Sequence, residues 1–221
     1  MSQYSFEDFE FRRGNSDDFG VVAEFTRKVF IDAEPLSKAM HMTADDCGIF
    51  DWIAKESLKH PYTVLVFEKR TGELIGYRVT SVWFRNSEKN HFDPLPTLNE
   101  KEKLLANMLD FLKKSFWGLC PPEVNGVLRR ELSCVRPDFQ RRGIGNRMAD
   151  EFIDEQELKA KGIDGIMSET SSVANQALLA KKGFKPLKEM EYDMKLESNG
   201  SYVPDECSDG ARKMLLNFKK F

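Results

Sequence analysis

Apolar positions recur along this chain with two periods, and the change from one to the other predicts the order of elements. FEFRRG alternates and stops at Gly14, the pattern of a half-buried strand. Phe19, Val22, Phe25 and Val29 then return at helical spacing, with Ser16 as the expected N-cap and Asp17 and Asp18 in the first turn. Pro35 suits the first turn of a short helix after DAE. Thr43, Asp45 and Asp46 open a further helix that ends near Lys59, before Pro61. YTVLVFEK and ELIGYRVTSVWFR, separated by RTG, read as a hairpin.

In the second half, Thr97 and Glu100 have the spacing of a capping box ahead of KEKLLANMLDFLKKSF. VLRRELSCV reads as a strand, and RRGIGNRMADEFIDEQELKAKG as one helix closed by Gly162. IDGIMSET is a short strand, SVANQALLAKKG a helix closed by Gly183, and FKPLKEMEYDMKL and ARKMLLNFKKF are closing strands. The sum is a mixed α/β (α+β) chain forming a single domain over residues 1–221, with no internal repeat or low-complexity linker.

Composition narrows the function classes. Hydrophobic residues make up 41% of the 221 residues and include 17 Phe, enough to fill a core. The net charge is -3 and neither end carries a basic block, which speaks against duplex nucleic acid as a partner. No apolar run approaches the roughly 20 residues that cross a bilayer, and the opening MSQYSFEDFEFRRG has no apolar signal core, so the expectation is a cytoplasmic protein without a membrane partner. Cys47, Cys120, Cys134 and Cys207 are widely spaced, far from His41, His60 and His91, and suggest reduced thiols and no metal site.

One segment asks for a ligand. In PDFQRRGIGNRM a strand runs through two arginines and Gly-Ile-Gly into a helix. Glycine lets backbone approach an anion closely, the first helical N–H groups have no internal partner, and Arg141 and Arg142 add charge. A pyrophosphate matches this chemistry; a plain tight turn by Gly143 and Gly145 matches the same letters. The Rossmann fingerprint fails because Met148 stands at the third glycine position, and the G-K-[ST] of a P-loop is absent.

VRPDFQRRGIGNRMADEF resembles the acetyl-CoA loop of the GNAT superfamily of N-acetyltransferases, V-x-P-x-[YF]-[QR]-x-x-G-[IL]-G, which Val135, Pro137, Phe139, Gln140, Gly143, Ile144 and Gly145 match. NQALLAKKGF resembles a second signature of that superfamily, with its alanine one place early at Ala177. The resemblance implies the acyl-CoA N-acyltransferase fold: a mostly antiparallel central sheet with strands 4 and 5 splayed and helices on both faces. It implies that Ser133, Cys134 and Val135 face the pantetheine arm and acetyl carbonyl, that Gln140, Arg141, Arg142, Gly143, Ile144 and Gly145 hold the pyrophosphate, and that Asn175 touches the arm. Acetyl-CoA would be the co-substrate.

On the acceptor side, Glu34-Pro35-Leu36 and Ser171-Ser172 resemble segments of the invertebrate arylalkylamine (dopamine-type) N-acetyltransferases, where the glutamate acts as general base through ordered water. The resemblance implies a small primary amine as partner, an arylalkylamine first, in a monomer or weak homodimer. Aliphatic amines such as polyamines, a protein N-terminus, and a non-catalytic acyl-CoA binder are the alternatives. The chemistry asks for a carboxylate, since a primary amine with a pKa of about 10.4 is almost wholly protonated at neutral pH and has no lone pair to attack with. From the residues alone, Glu34 also suits a solvated helix start, Asp32 a local cap, and Ser171 and Ser172 an N-cap. The chain departs from the superfamily at Leu179, where many members carry a tyrosine that protonates the thiolate, and at Asn175, where the dopamine-type enzymes have a further serine.

Overall fold

The computed structural model describes residues 5–192 and 207–221. In chain order its elements are β1 (Phe9–Arg13), α1 (Phe19–Phe25), a π-helical turn (Thr26–Phe30), α2 (Ile31–Ala33), α3 (Pro35–Ala39), α4 (Gly48–Leu58), β2 (Val64–Glu68), β3 (Leu74–Phe84), α5 (Glu100–Lys113), α6 (Phe116–Leu119), β4 (Gly126–Val135), α7 (Ile144–Asp150), α8 (Glu155–Ala160), β5 (Gly165–Thr170), α9 (Val173–Lys181), β6 (Lys185–Glu191) and β7 (Lys213–Lys220). The strands form one sheet in the order β1-β2-β3-β4-β5-β7-β6. Every pairing is antiparallel except β4 with β5. Apolar side chains bury both faces. Helices α1, α4 and α5 cover one, including Phe25, Phe50 and Met108; α8 and α9 cover part of the other around Leu128, Leu158 and Leu179; and α7 sits over β1 to β3 around Phe9, Val66 and Ile144.

The splay predicted from the resemblance is present. β4 and β5 pair only from Val127 with Gly165 to Arg130 with Ser168. Beyond that rung β4 continues to Val135 against β3 alone, while β5 turns its remaining bonds to β7. Register in β4 also shifts opposite Val79 and Thr80, so that Val79 faces Leu132 and Thr80 faces Arg130, leaving Glu131 as a bulged residue at the fork.

Three local expectations are corrected. The capping residue is Asn15 rather than Ser16, and it starts a 3-10 turn (Ser16–Asp18) that leads into α1: its side chain accepts from Asp17 N at 2.8 Å, and Asp18 accepts from Asn15 N at 3.0 Å. The cap before α5 is Asn99 with Glu102 rather than Thr97 with Glu100. The single helix expected up to Gly162 is two helices, α7 and α8. The break has a cause far away in sequence. The fully buried Arg78 guanidinium donates to Met148 O (2.5 Å), Ala149 O (3.0 Å) and Glu151 O (3.1 Å), taking the carbonyls at the end of α7. Phe152 then turns at φ 60°, and Asp154 caps α8 by accepting from Gln156 N and Glu157 N, both at 3.0 Å. The tail of the expected strand after Tyr192 lies outside the described residues.

Candidate active site

The splay opens a cleft of about 410 Å³ lined from four directions. β4 contributes Ser133, Cys134 and Val135; the loop and α7 contribute Phe139, Gln140, Arg141, Ile144, Gly145 and Met148; the turn between α2 and α3 contributes Ala33, Glu34 and Pro35; α9 contributes Ala174, Asn175 and Leu178. Eight of the ten residues expected at the cofactor therefore share one cleft with Glu34. Arg142 and Gly143 do not line it. The Arg142 Nη2 donates to Asp138 O at 2.8 Å and its guanidinium lies 5.1 Å over the Phe139 ring.

Backbone geometry shapes the loop. Arg141 and Gly143 are left-handed, with φ of 58° and 82°, and successive turns of this kind point amides inward as an anion-binding concavity. Gly143 is the N-cap of α7 and offers no side chain to its first amides. A Cβ at Gly143 would meet the Phe6 ring at 2.9 Å, away from the cleft lining, whereas a Cβ at Gly145 would meet nothing within 4 Å. The Gln140 side chain donates to Val135 O at 2.9 Å and ties the loop to the end of β4. The polar loop and Arg141 suit a diphosphate; Val135, Phe139, Met148 and Leu178 suit the apolar arm behind it.

Glu34 stands where the cleft meets a second, narrower space. It is the N-cap of α3, accepting from Leu36 N (3.2 Å), Ser37 N (2.6 Å) and Ser37 Oγ (2.7 Å). Its Oε1 also accepts from Ser171 Oγ at 2.6 Å, a contact between residues 137 apart in sequence. The Ser171 carbonyl is in turn held by the Tyr192 hydroxyl at 2.9 Å, and burial pushes that phenol far above its ordinary pKa, so it stays a donor. Ser172 is the N-cap of α9 and its Oγ accepts from Asn175 N at 3.3 Å. Burial, followed by the nearby charge of Glu34, pushes the Cys134 thiol up to about 12; it is protonated at neutral pH and a poor nucleophile. Leu179 is sealed in the core, and the residue of α9 turned to the cleft beside it is Leu178.

The narrower space, about 80 Å³, runs from Glu34, Ser133 and Ser171 between Phe30, Phe50 and Leu132 to a charged floor. There Arg129 on β4 donates to both oxygens of Glu169 on β5 (3.1 and 3.3 Å) and pairs with Glu131 at 3.3 Å. Ser81 Oγ adds a bond to Glu131 at 2.5 Å. Burial, with Glu169 alongside, raises the Glu131 carboxyl above its usual range despite Arg129. Sequence reading passed over this trio. The available signal was R-R-E inside a strand that is otherwise apolar. It also passed over Asp209, which accepts from Val173 N at 2.8 Å and lines the cleft from the turn ahead of β7; nothing in its neighbourhood marked it. Among the described residues no cluster of His, Cys, Asp or Glu could hold a metal, and no helix is long and apolar enough to cross a membrane.

No family model and no curated protein matches the chain. Solved structures do. Arylalkylamine N-acetyltransferase 2 from Aedes aegypti superposes with a TM-score of 0.73 over 96% of this chain and 99% of its own, at 17% identity. The chain has the GNAT acetyltransferase fold. The Drosophila melanogaster polyamine N-acetyltransferase, which forms N-acetylagmatine, gives 0.76 over 97% and 100% at 13% identity. A mosquito arylalkylamine N-acetyltransferase, like 5b, gives 0.71 over 96% and 100% at 15%. Identities this low carry the fold and leave the chemistry to the site.

Proposed function

We propose that this chain transfers acetyl from acetyl-CoA to a small primary amine, an arylalkylamine, by direct attack with Glu34 as general base. The observation that carries the reading is the meeting of the Glu34 carboxylate, which lines both the cleft and the narrow slot, with the Ser171 hydroxyl of the slot. The fold of the arylalkylamine and polyamine enzymes supports it.

The roles follow from the groups. Glu34 attracts the alkylammonium and takes one proton, directly or through water, while Ser171 holds the carboxylate's orientation. The freed nitrogen attacks the thioester carbon, and backbone N–H groups on the unpaired side of Ser133–Val135 stabilise the oxyanion. As the C–S bond breaks, the second amine proton leaves to solvent or to the thiolate. A thiol with a pKa of about 8.5 departs as thiolate without a dedicated acid, which suits a site whose family tyrosine position is Leu179, buried elsewhere.

A second acceptor class is favoured by one feature. The slot floor sets Glu131 and Glu169 around Arg129, with Lys113 within electrostatic reach of both carboxylates, and a second cation, as in a polyamine, would find carboxylate partners there.

Thiol release from acetyl-CoA with tyramine, putrescine and propylamine separates these readings. Stabilisation by CoA without release from any amine would leave a binding protein. Glu34→Gln should lower turnover by about 10²–10⁴-fold near neutral pH, with the deficit shrinking as pH approaches the amine's own pKa and free amine appears. A deficit independent of pH would assign Glu34 to capping α3 alone.

A further inference from the structure

We infer that the Ser133 hydroxyl, backed by the buried Arg130 guanidinium, donates the hydrogen bond that the leaving sulfur receives during acetyl transfer. The inference rests on the amine-acetylating reading above and assigns a group to the leaving side, where the buried Leu179 offers none.

The two spaces fix the place. On that reading acetyl arrives through the cleft and the amine through the slot. They meet among the residues that line both, which are Glu34, Ser133, Ser172 and Asn175. Glu34 is the base. Of the other three, Ser133 alone bonds a cation among the described residues: its Oγ accepts from Arg130 Nη2 at 3.4 Å. The hydrogen of that hydroxyl has no acceptor among the described residues, so it is available to a ligand.

Arg130 is a cation that the fold does not otherwise use. It is 2% exposed, and its Nε and Nη1 have no hydrogen-bond partner among the described residues. The carboxylate that acts on it is Asp150, which is exposed and already pairs with Lys182. A second buried guanidinium, Arg78, repels it, and Arg78 spends its own bonds on backbone carbonyls and Thr80. Burial lowers the Arg130 pKa to about 10, which leaves it charged at neutral pH. A charge kept in the interior without a counter-ion is costly. Arg78 is accounted for by the end of α7; Arg130 holds no helix end and no ion pair.

The electrostatics run one way. A cation that bonds the hydroxyl oxygen makes its O–H a stronger donor, and the charge itself favours an anion in front of it. When the C–S bond breaks, its electron pair goes to sulfur. The thiolate accepts from Ser133, which keeps its proton, and the proton released from nitrogen goes to solvent or to the thiolate. The carbonyl oxygen stays with the backbone N–H groups of β4.

The thiol of CoA bound to the protein can be titrated by the ultraviolet absorbance of its thiolate. Glu34, Asp209 and Arg141 face the junction from the cleft, and Arg129, Glu131 and Glu169 from the slot. All are the same in parent and variant, so the comparison isolates the hydroxyl. Ser133→Ala should raise the pKa of the bound thiol by about one unit or more. It should slow single-turnover transfer to tyramine by about 10- to 100-fold. Ser133→Thr, which returns the hydroxyl, should bring both back towards the parent. Arg130→Met should shift both in the same direction, and by less once Ser133 is alanine. An unmoved thiol pKa or rate in Ser133→Ala, or a loss that Ser133→Thr does not repair, overturns the inference. Should Arg130→Met fail to fold, the two Ser133 variants decide alone. A wild-type chain that acetylates none of tyramine, putrescine and propylamine sinks the underlying reading, while the thiol titration, which needs only CoA, still decides what Ser133 does.

Discussion

Gly145→Ala sets stability and cofactor binding against each other. Gly145 lies in the first turn of α7, and a Cβ built on it has no neighbour within 4 Å. Alanine therefore brings no clash and removes glycine's excess freedom in the unfolded chain, a gain of about 0.5–1 kcal/mol. In a chain of 221 residues that is roughly a 1–4 °C rise in Tm. The same methyl projects from a residue that lines the cleft, where the proposed diphosphate would come against bare backbone. Displacing it from amides that would bond a charged group costs about 1.5–3 kcal/mol, or roughly 10- to 150-fold in Kd for CoA. Thermal melts of the free protein and calorimetric titration with CoA measure the two effects. A stabilised variant that binds CoA as tightly as the parent would refute the placement of the diphosphate on this loop. Gly143→Val is the poorer probe: at φ 82° any side chain is strained, and its Cβ would strike Phe6.

Other outcomes follow from the same geometry. Cys134→Ala should retain most of the turnover and form no acyl-enzyme, because the thiol is held up to about 12 by burial; trapping of an acetylated Cys134 by mass spectrometry would contradict this. Arg12 bonds both oxygens of Asp18 at 2.9 and 2.6 Å and holds its carboxyl below the usual range. That contribution is present above the unfolded carboxyl pKa, about 3.9, and fades as pH falls through the depressed folded value. Arg12→Gln should thus destabilise by no more than about 1 kcal/mol at neutral pH, and the difference from the parent in urea melts should vanish in acid. Arg78→Met should cost about 3–5 kcal/mol, since it strips the donor from the last carbonyls of α7; near-parental stability would remove Arg78 as the reason that helix stops.

Period and turn chemistry were enough to order the strands and helices, because they depend on neighbours within one turn or one hairpin. The loop from Pro137 to Gly145 was legible for the same reason. Its left-handed positions and its lack of a capping side chain are properties of nine consecutive residues. Glu34-Pro35 was also readable as a helix start, and Glu34 does cap α3.

What the sequence left open was every choice settled by a distant partner. Thr97-Glu100 and Asn99-Glu102 have the same spacing; the second is the box that forms, and its Glu102 also accepts from Ile49 N at 3.0 Å, 53 residues away. Helix α7 stops at Asp150 where a buried arginine on β3 claims its carbonyls, a cause invisible from the local letters. Ser171 reaches Glu34 only because β5 leaves β4 at the fork and delivers its end beside the turn after α2. Short-range patterns constrain torsions, and so they determined the elements and the turn geometry of the Pro137–Gly145 loop. Burial and hydrogen-bond partners are set by packing across the sheet, so only the tertiary structure decided which carboxylate meets which hydroxyl and how much room lies beside them.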